Sequence, residues 1–106
     1  MPILDLNDSN FWQEISEGYV LIMAGSKHCA PCLKAKPDFE RIAEDNPWLE
    51  VYYIDLEKNP AAISNLSLYS MPSFIFWHNG MVKKYNGPDM QAVGSFALNW
   101  RIRESR

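Results

Sequence analysis

Cysteine is scarce in this sequence: 106 residues hold two, Cys29 and Cys32, and they stand together in one Cys-x-x-Cys. A disulfide scaffold spreads an even set of cysteines along the chain to close large loops. This spacing closes almost no loop, so a bridge here would constrain the unfolded chain little and needs a reason other than stability. Long apolar runs are missing too. The stretches at 19–25 and 74–77 fall far short of the ~20 residues a membrane helix needs. No basic cluster occurs: ten Lys and Arg lie scattered among 13 Asp and Glu, for a net charge of −3, which counts against a nucleic-acid-binding face. The opening Met1-Pro2-Ile3-Leu4-Asp5-Leu6 lacks the cationic stretch and apolar run of a secretory signal, and Met1 argues against a signal already removed, so a cytoplasmic protein is expected. Repeats, linkers and low-complexity tracts are absent.

What is present is ordinary globular composition, 47% apolar and 22% charged, with length for one domain, residues 1–106, and one core. Four Trp, five Tyr and five Phe point to a core rich in aromatics, with Phe39, Phe74, Phe76 and Trp100 as core residues. The apolar run 3–6 reads as an edge strand, and Asn7-Asp8-Ser9-Asn10 offers caps for a first helix over 9–16, stopped at Gly18. Residues 19–24 have no polar alternation, the mark of a strand covered on both faces. Beyond the cysteines, Cys32, Ala35, Phe39, Ile42 and Ala43 recur at steps of three and four, with Pro37 inside the helix and Asn46-Pro47 at its end. A strand over 49–55 follows, then a short helix capped by Asn59 before Pro60 and running to about Leu68. Asn79-Gly80 joins strands at 72–78 and 81–85 as a hairpin. Met90, Val93, Ala97 and Trp100 mark one face of a last helix. The order β-α-β-α-β-α-β-β-α predicts an α/β fold with a mixed sheet flanked by helices.

The chemistry sits between the buried strand and the long helix. The thiolate is the reactive form of cysteine, and a helix N-terminus favours negative charge through free N–H groups and the macrodipole. Cys29 is therefore the expected attacker. Cys32, one turn on, faces back and can resolve a mixed disulfide; Pro31 between them suits the first helical turn. The competing assignment is half of a zinc site, with His28 and His78 as the other soft ligands, but the helical context fits four-coordinate zinc poorly, and no metal is expected. His28 has two readings: its imidazolium favours the Cys29 thiolate, or it is a solvated loop residue.

With Cys29-Ala30-Pro31-Cys32 so placed, the chain resembles the thioredoxin family. Pro37 matches the family's kinking helix proline, and Asn59-Pro60 resembles the start of its third helix. Ser70-Met71-Pro72 looks like its cis-proline segment, and Asn79-Gly80 and Gly87 match later turns. The resemblance runs from about Ile3 to Trp100. It implies a thioredoxin fold, a central mixed sheet of about five strands flanked by about four helices. It also implies a monomeric thiol–disulfide oxidoreductase that reduces protein disulfides with electrons from a thioredoxin-reductase-like donor and needs no cofactor beyond its Cys29–Cys32 pair. Ala30, Pro31, Met71 and a cis Pro72 are then the substrate-binding residues.

Four positions depart from that family. Its usual buried Asp, six residues before the first cysteine, is Met23, and the Lys of the next strand is Tyr53. The Trp before the first cysteine is His28, and the one four residues before it is Gly25. A thioether accepts no proton at neutral pH, so the usual general-base route to Cys32 is missing and its activation is expected to be weaker. Met23 and His28 are thus modulating residues. The alternative is a thioredoxin-fold binding or accessory subunit whose redox activity is weak or dispensable. An oxidase or isomerase of an oxidising compartment lacks its signal sequence.

Overall fold

The computed structural model describes residues 3–104; Met1 and Pro2, where the N-terminal stretch begins, and Ser105 and Arg106 lie outside the described residues. The apolar run at the centre of the pattern is strand β2, Val20–Gly25, and all six of its residues are buried. Side chains alternate across a strand, so Leu21 and Met23 enter one core cluster and Val20, Ile22 and Ala24 the other. Labelled in chain order, β1 is Leu4–Leu6, β3 Glu50–Asp55, β4 Ser73–Trp77 and β5 Met81–Asn86. The sheet order is β1-β3-β2-β4-β5. β1, β3 and β2 pair in parallel, β4 pairs antiparallel with β2 and β5 antiparallel with β4, which makes the mixed sheet that the element order predicts.

Two helices cover each face. Helices α2, Ala30–Asp45, and α4, Met90–Glu104, bury Phe39, Ile42, Val93, Ala97 and Trp100 against Leu21 and Met23. The shorter α1, Phe11–Glu14, and α3, Ala61–Asn65, bring Phe11 and Ala62 to the opposite face. Phe39 meets Phe74 at 5.8 Å between ring centres, and Phe76 meets Trp100 edge to face at 5.6 Å. Each such fully buried side chain contributes about 1.5–3 kcal/mol. Helix α2 runs on through Pro37 and ends at Asn46, whose side-chain N–H donates to the Ile42 carbonyl at 2.8 Å.

Two helices are shorter than their sequence patterns suggest. α1 spans only Phe11–Glu14 instead of 9–16 because the Asn7 and Asn10 side chains accept backbone N–H groups within 7–10, closing a local turn that competes with helix. α3 stops at Asn65, since Ser67 takes a φ of +52° and turns the chain so that Leu66 and Leu68 both enter the core. Asn59 is not its cap. Its amide instead ties the Asp55 carbonyl to the Asp8 N–H. The hairpin forms at Asn79-Gly80, where both residues have positive φ, +56° and +131°.

Candidate active site

At the end of β2 the chain passes through Ser26, Lys27 and His28 into Cys29, the N-cap of α2. The Cys29 Sγ accepts the backbone N–H of Cys32 at 3.2 Å, one of the donors that a helix start leaves free. Cys29 and Cys32 form a disulfide with 5.2 Å between their Cα atoms. Their environments differ: Cys29 is half-buried, whereas Cys32 is 2% exposed and packed into the core cluster with Met23. Ala30 and Pro31 are exposed in the first turn of α2.

The peptide bond between Met71 and Pro72 is cis, as the family resemblance implies. Ala24 pairs with Ser73, so Pro72 stands at the end of β2 where the cysteine loop begins. The Pro72 carbonyl accepts the Gly87 N–H at 2.8 Å, joining this segment to the turn before α4. Met71 is exposed and Pro72 buried. Two grooves are lined by residues of the cysteine helix and of the cis-proline segment. One, about 510 Å³, runs between Ala30, Pro31 and Lys34 on one side and Pro88 and Met90 on the other. The second, about 290 Å³, is lined by Leu56, Ile63, Tyr69 and Met71.

Met23, at the family's acidic position, is 1% exposed, and its cross-strand neighbour in register is Tyr53. Burial, and then the charges of Asp55, Asp5 and Glu57, push the Tyr53 phenol above its ordinary pKa of 10.0. Tyr53 is therefore a protonated donor at neutral pH and cannot act as a base. Gly25 lets the second cysteine pack directly against the strand end: a Cβ built there would sit 2.9 Å from the Cys32 Sγ.

His28 lies at the rim with its side chain 70% exposed, and its Nδ1–H donates to both carboxylate oxygens of Glu57, at 3.0 and 3.1 Å. The same carboxylate accepts the hydroxyl of the buried Ser26, and Ser26 Oγ accepts the His28 N–H at 3.0 Å. Ser26 and Glu57 belong to no motif in the sequence. Their signal is the parallel pairing of β2 with β3, which sets Gly25 beside Asp55 and so brings together the residues just past both strand ends. The histidines do not converge. His78 stacks on Tyr19 at 4.1 Å beside the start of β2, and its Nδ1–H donates to the Gly18 carbonyl. The two-Cys, two-His arrangement is therefore not assembled, and among the described residues no group of three or more His, Cys, Asp or Glu could hold a metal. No described helix is long and apolar enough to cross a membrane.

Comparison with known proteins agrees with this geometry. The thioredoxin family model matches residues 2–97. Among curated relatives, thioredoxin of Listeria monocytogenes is 30% identical over 81 residues, covering 76% of this chain and 79% of the relative. Thioredoxin of Staphylococcus haemolyticus is 28% identical over 81 residues, covering 76% and 78%. The crystal structure of thioredoxin from Trypanosoma brucei brucei superposes with a TM-score of 0.88 at 21% identity, over 96% of this chain and 92% of that one, a likeness of fold. With a matched family model over nearly its whole length and a Cys-x-x-Cys disulfide at the head of α2, the chain belongs to the thioredoxin family and is a thioredoxin-type thiol–disulfide oxidoreductase.

Proposed function

We propose that this chain, acting as a single domain, reduces disulfides in protein substrates, with Cys29 as the attacking thiolate and Cys32 as the resolving thiol. The observation that carries this assignment is the asymmetry of the pair. Cys29 is half-buried at the helix N-cap and its sulfur accepts the Cys32 N–H, whereas Cys32 is 2% exposed. A substrate disulfide can reach the first sulfur and not the second, and the helix start stabilises negative charge on the sulfur that must attack. Attack forms a mixed disulfide at Cys29; Cys32 then displaces the substrate thiolate and closes the Cys29–Cys32 bond.

Ala30, Pro31, Met71 and Pro72 hold the substrate chain in this reading. The exposed position of Met71, and the grooves that Ala30 and Pro31 on one hand and Met71 on the other line, support it. His28 modulates Cys29 through its tie to Glu57. Met23 supplies no proton acceptor, so the Cys32 proton leaves by another route and the resolving step is slower than with a buried carboxylate. A thioredoxin-reductase-like donor, a monomeric state and a cytoplasmic setting belong to the same reading; their support is the family resemblance.

The test is reduction of insulin disulfides with dithiothreitol as electron source. The wild type is expected to turn over, and Cys29→Ser to lose turnover entirely while keeping its fold by circular dichroism. A folded wild type without turnover would shift the assignment to a binding or accessory subunit.

A further inference from the structure

A small cavity opens behind the second cysteine. It measures about 120 Å³, and its lining includes Met23, Cys32, Tyr53, Asp55 and the two lysines Lys27 and Lys36. One water occupies roughly 30 Å³ of liquid, so the space admits a short chain of waters. Strand register explains why Asp55 lines it. Asp55 is the cross-strand partner of Gly25, as Tyr53 is of Met23, so its side chain leaves β3 on the Cys32 face. Gly25 has no Cβ, and one built there would lie 2.9 Å from the Cys32 Sγ, so the glycine lets that sulfur sit close to the end of β2.

We propose that Asp55, acting through water in this cavity, accepts the proton of the Cys32 thiol, in place of the carboxylate that position 23 lacks. The inference rests on the assignment of Cys32 as the resolving thiol. In the step, the proton passes from the Cys32 thiol through water to the Asp55 carboxylate. The resulting thiolate attacks the Cys29 Sγ of the mixed disulfide. The Cys29–Cys32 bond forms, the bond from Cys29 to the substrate sulfur breaks, and the substrate leaves as thiolate with the electron pair.

The groups facing Asp55 suit the role. The Glu57 N–H donates to its Oδ1 at 2.9 Å and holds the carboxylate in place. Lys27 and Lys36 share the cavity, and Lys36 lies 5.8 Å over the Tyr53 ring, so cations border the path and favour a thiolate. The Tyr53 phenol, held protonated, can donate to a water in the path. Glu57 is turned to Ser26 and His28 instead.

The experiment uses stopped flow with the reduced full chain and 5,5′-dithiobis(2-nitrobenzoate). The first nitrothiobenzoate released reports attack by Cys29, and the second reports displacement by Cys32. Asp55→Asn is expected to leave the first release unchanged and to slow the second by about tenfold or more near pH 7. Its second rate should climb about tenfold per pH unit, as free thiol ionisation does. It should approach the wild-type rate at alkaline pH, where the thiol ionises unaided. Asp55→Glu, which keeps the carboxylate, should recover most of the loss. An unchanged second release overturns the proposal, and so does a loss that is the same at every pH, which marks a merely structural role. A wild type that shows no first release would overturn the assignment of Cys29 itself, an outcome distinct from either.

Discussion

Where β2 and β3 begin, rings fill the space: Tyr19 stacks on His78, and Tyr19, Trp48 and Phe76 all meet Trp100 within 5.1–5.7 Å. Where the same strands end, the chain presents Gly25, Ser26, His28, Asp55 and Glu57 around the two cysteines, with grooves and a small cavity among them. One sheet thus carries a closed, aromatic end and an open, polar one. The first contributes stability through buried area and ring contacts. The second leaves volume unfilled and polar groups near a reactive sulfur, which lowers packing but makes thiol chemistry possible. The C-terminal ends of parallel strands are where α/β folds usually place their sites.

The sharpest way to break this contrast is to remove mass from the closed end. Trp100 is 2% exposed, and Trp100→Ala is expected to lower stability by about 3–5 kcal/mol in urea unfolding, while leaving Cys29 reactive toward thiol reagents in the molecules that remain folded. Loss of thiol reactivity in a folded fraction would mean the two ends are coupled.

At the open end, adding mass should do the harm. Gly25→Ala places a methyl 2.9 Å from the Cys32 Sγ and 3.3 Å from its Cβ. Reduced freedom of the unfolded chain favours the alanine by about 0.4–1 kcal/mol. Overpacking costs about 1–3 kcal/mol and wins, because the sulfur is held by its bond to Cys29. A net loss of roughly 1–2 kcal/mol in urea unfolding of the oxidised protein follows; a gain would show that the contact relaxes freely.

The smallest expected effect concerns the middle of β3. Burial first, then nearby carboxylates, raise the Tyr52 and Tyr53 phenols above 10.0. The folded state then holds these protons more tightly than the unfolded chain. Their contribution to stability is complete below about pH 10 and is lost as pH climbs through the raised values. Between about pH 8 and pH 11 the wild type should therefore lose more stability than a variant carrying Tyr52→Phe and Tyr53→Phe. Equal losses would contradict the direction of the shifts.

Much of this architecture is legible from local pattern. The apolar run of β2, the stripe from Cys32 to Ala43 and the Asn79-Gly80 turn each depend on neighbours within a few residues, and each forms where its pattern predicts. The Cys29–Cys32 pair is legible for the same reason. Helix lengths were less so, since side-chain capping within 7–10 and the turn at Ser67 decide them. The surroundings of the cysteines were legible only in part. Met23 and Gly25 stand out by what they are not, but the link from His28 to Glu57 spans 29 residues and the approach of Asp55 to Cys32 depends on strand register. Periodicity carries no record of which strand lies beside which.

Attack by Cys29 and resolution by Cys32 can be separated by trapping the intermediate. Cys32→Ser and Cys29→Ser would each be mixed in reduced form with insulin, quenched with acid and read by intact mass. A covalent adduct is expected between the Cys32→Ser protein and an insulin chain, through Cys29, and none with Cys29→Ser. An adduct that forms through Cys32 in the Cys29→Ser protein, or fails to form in both, would contradict it.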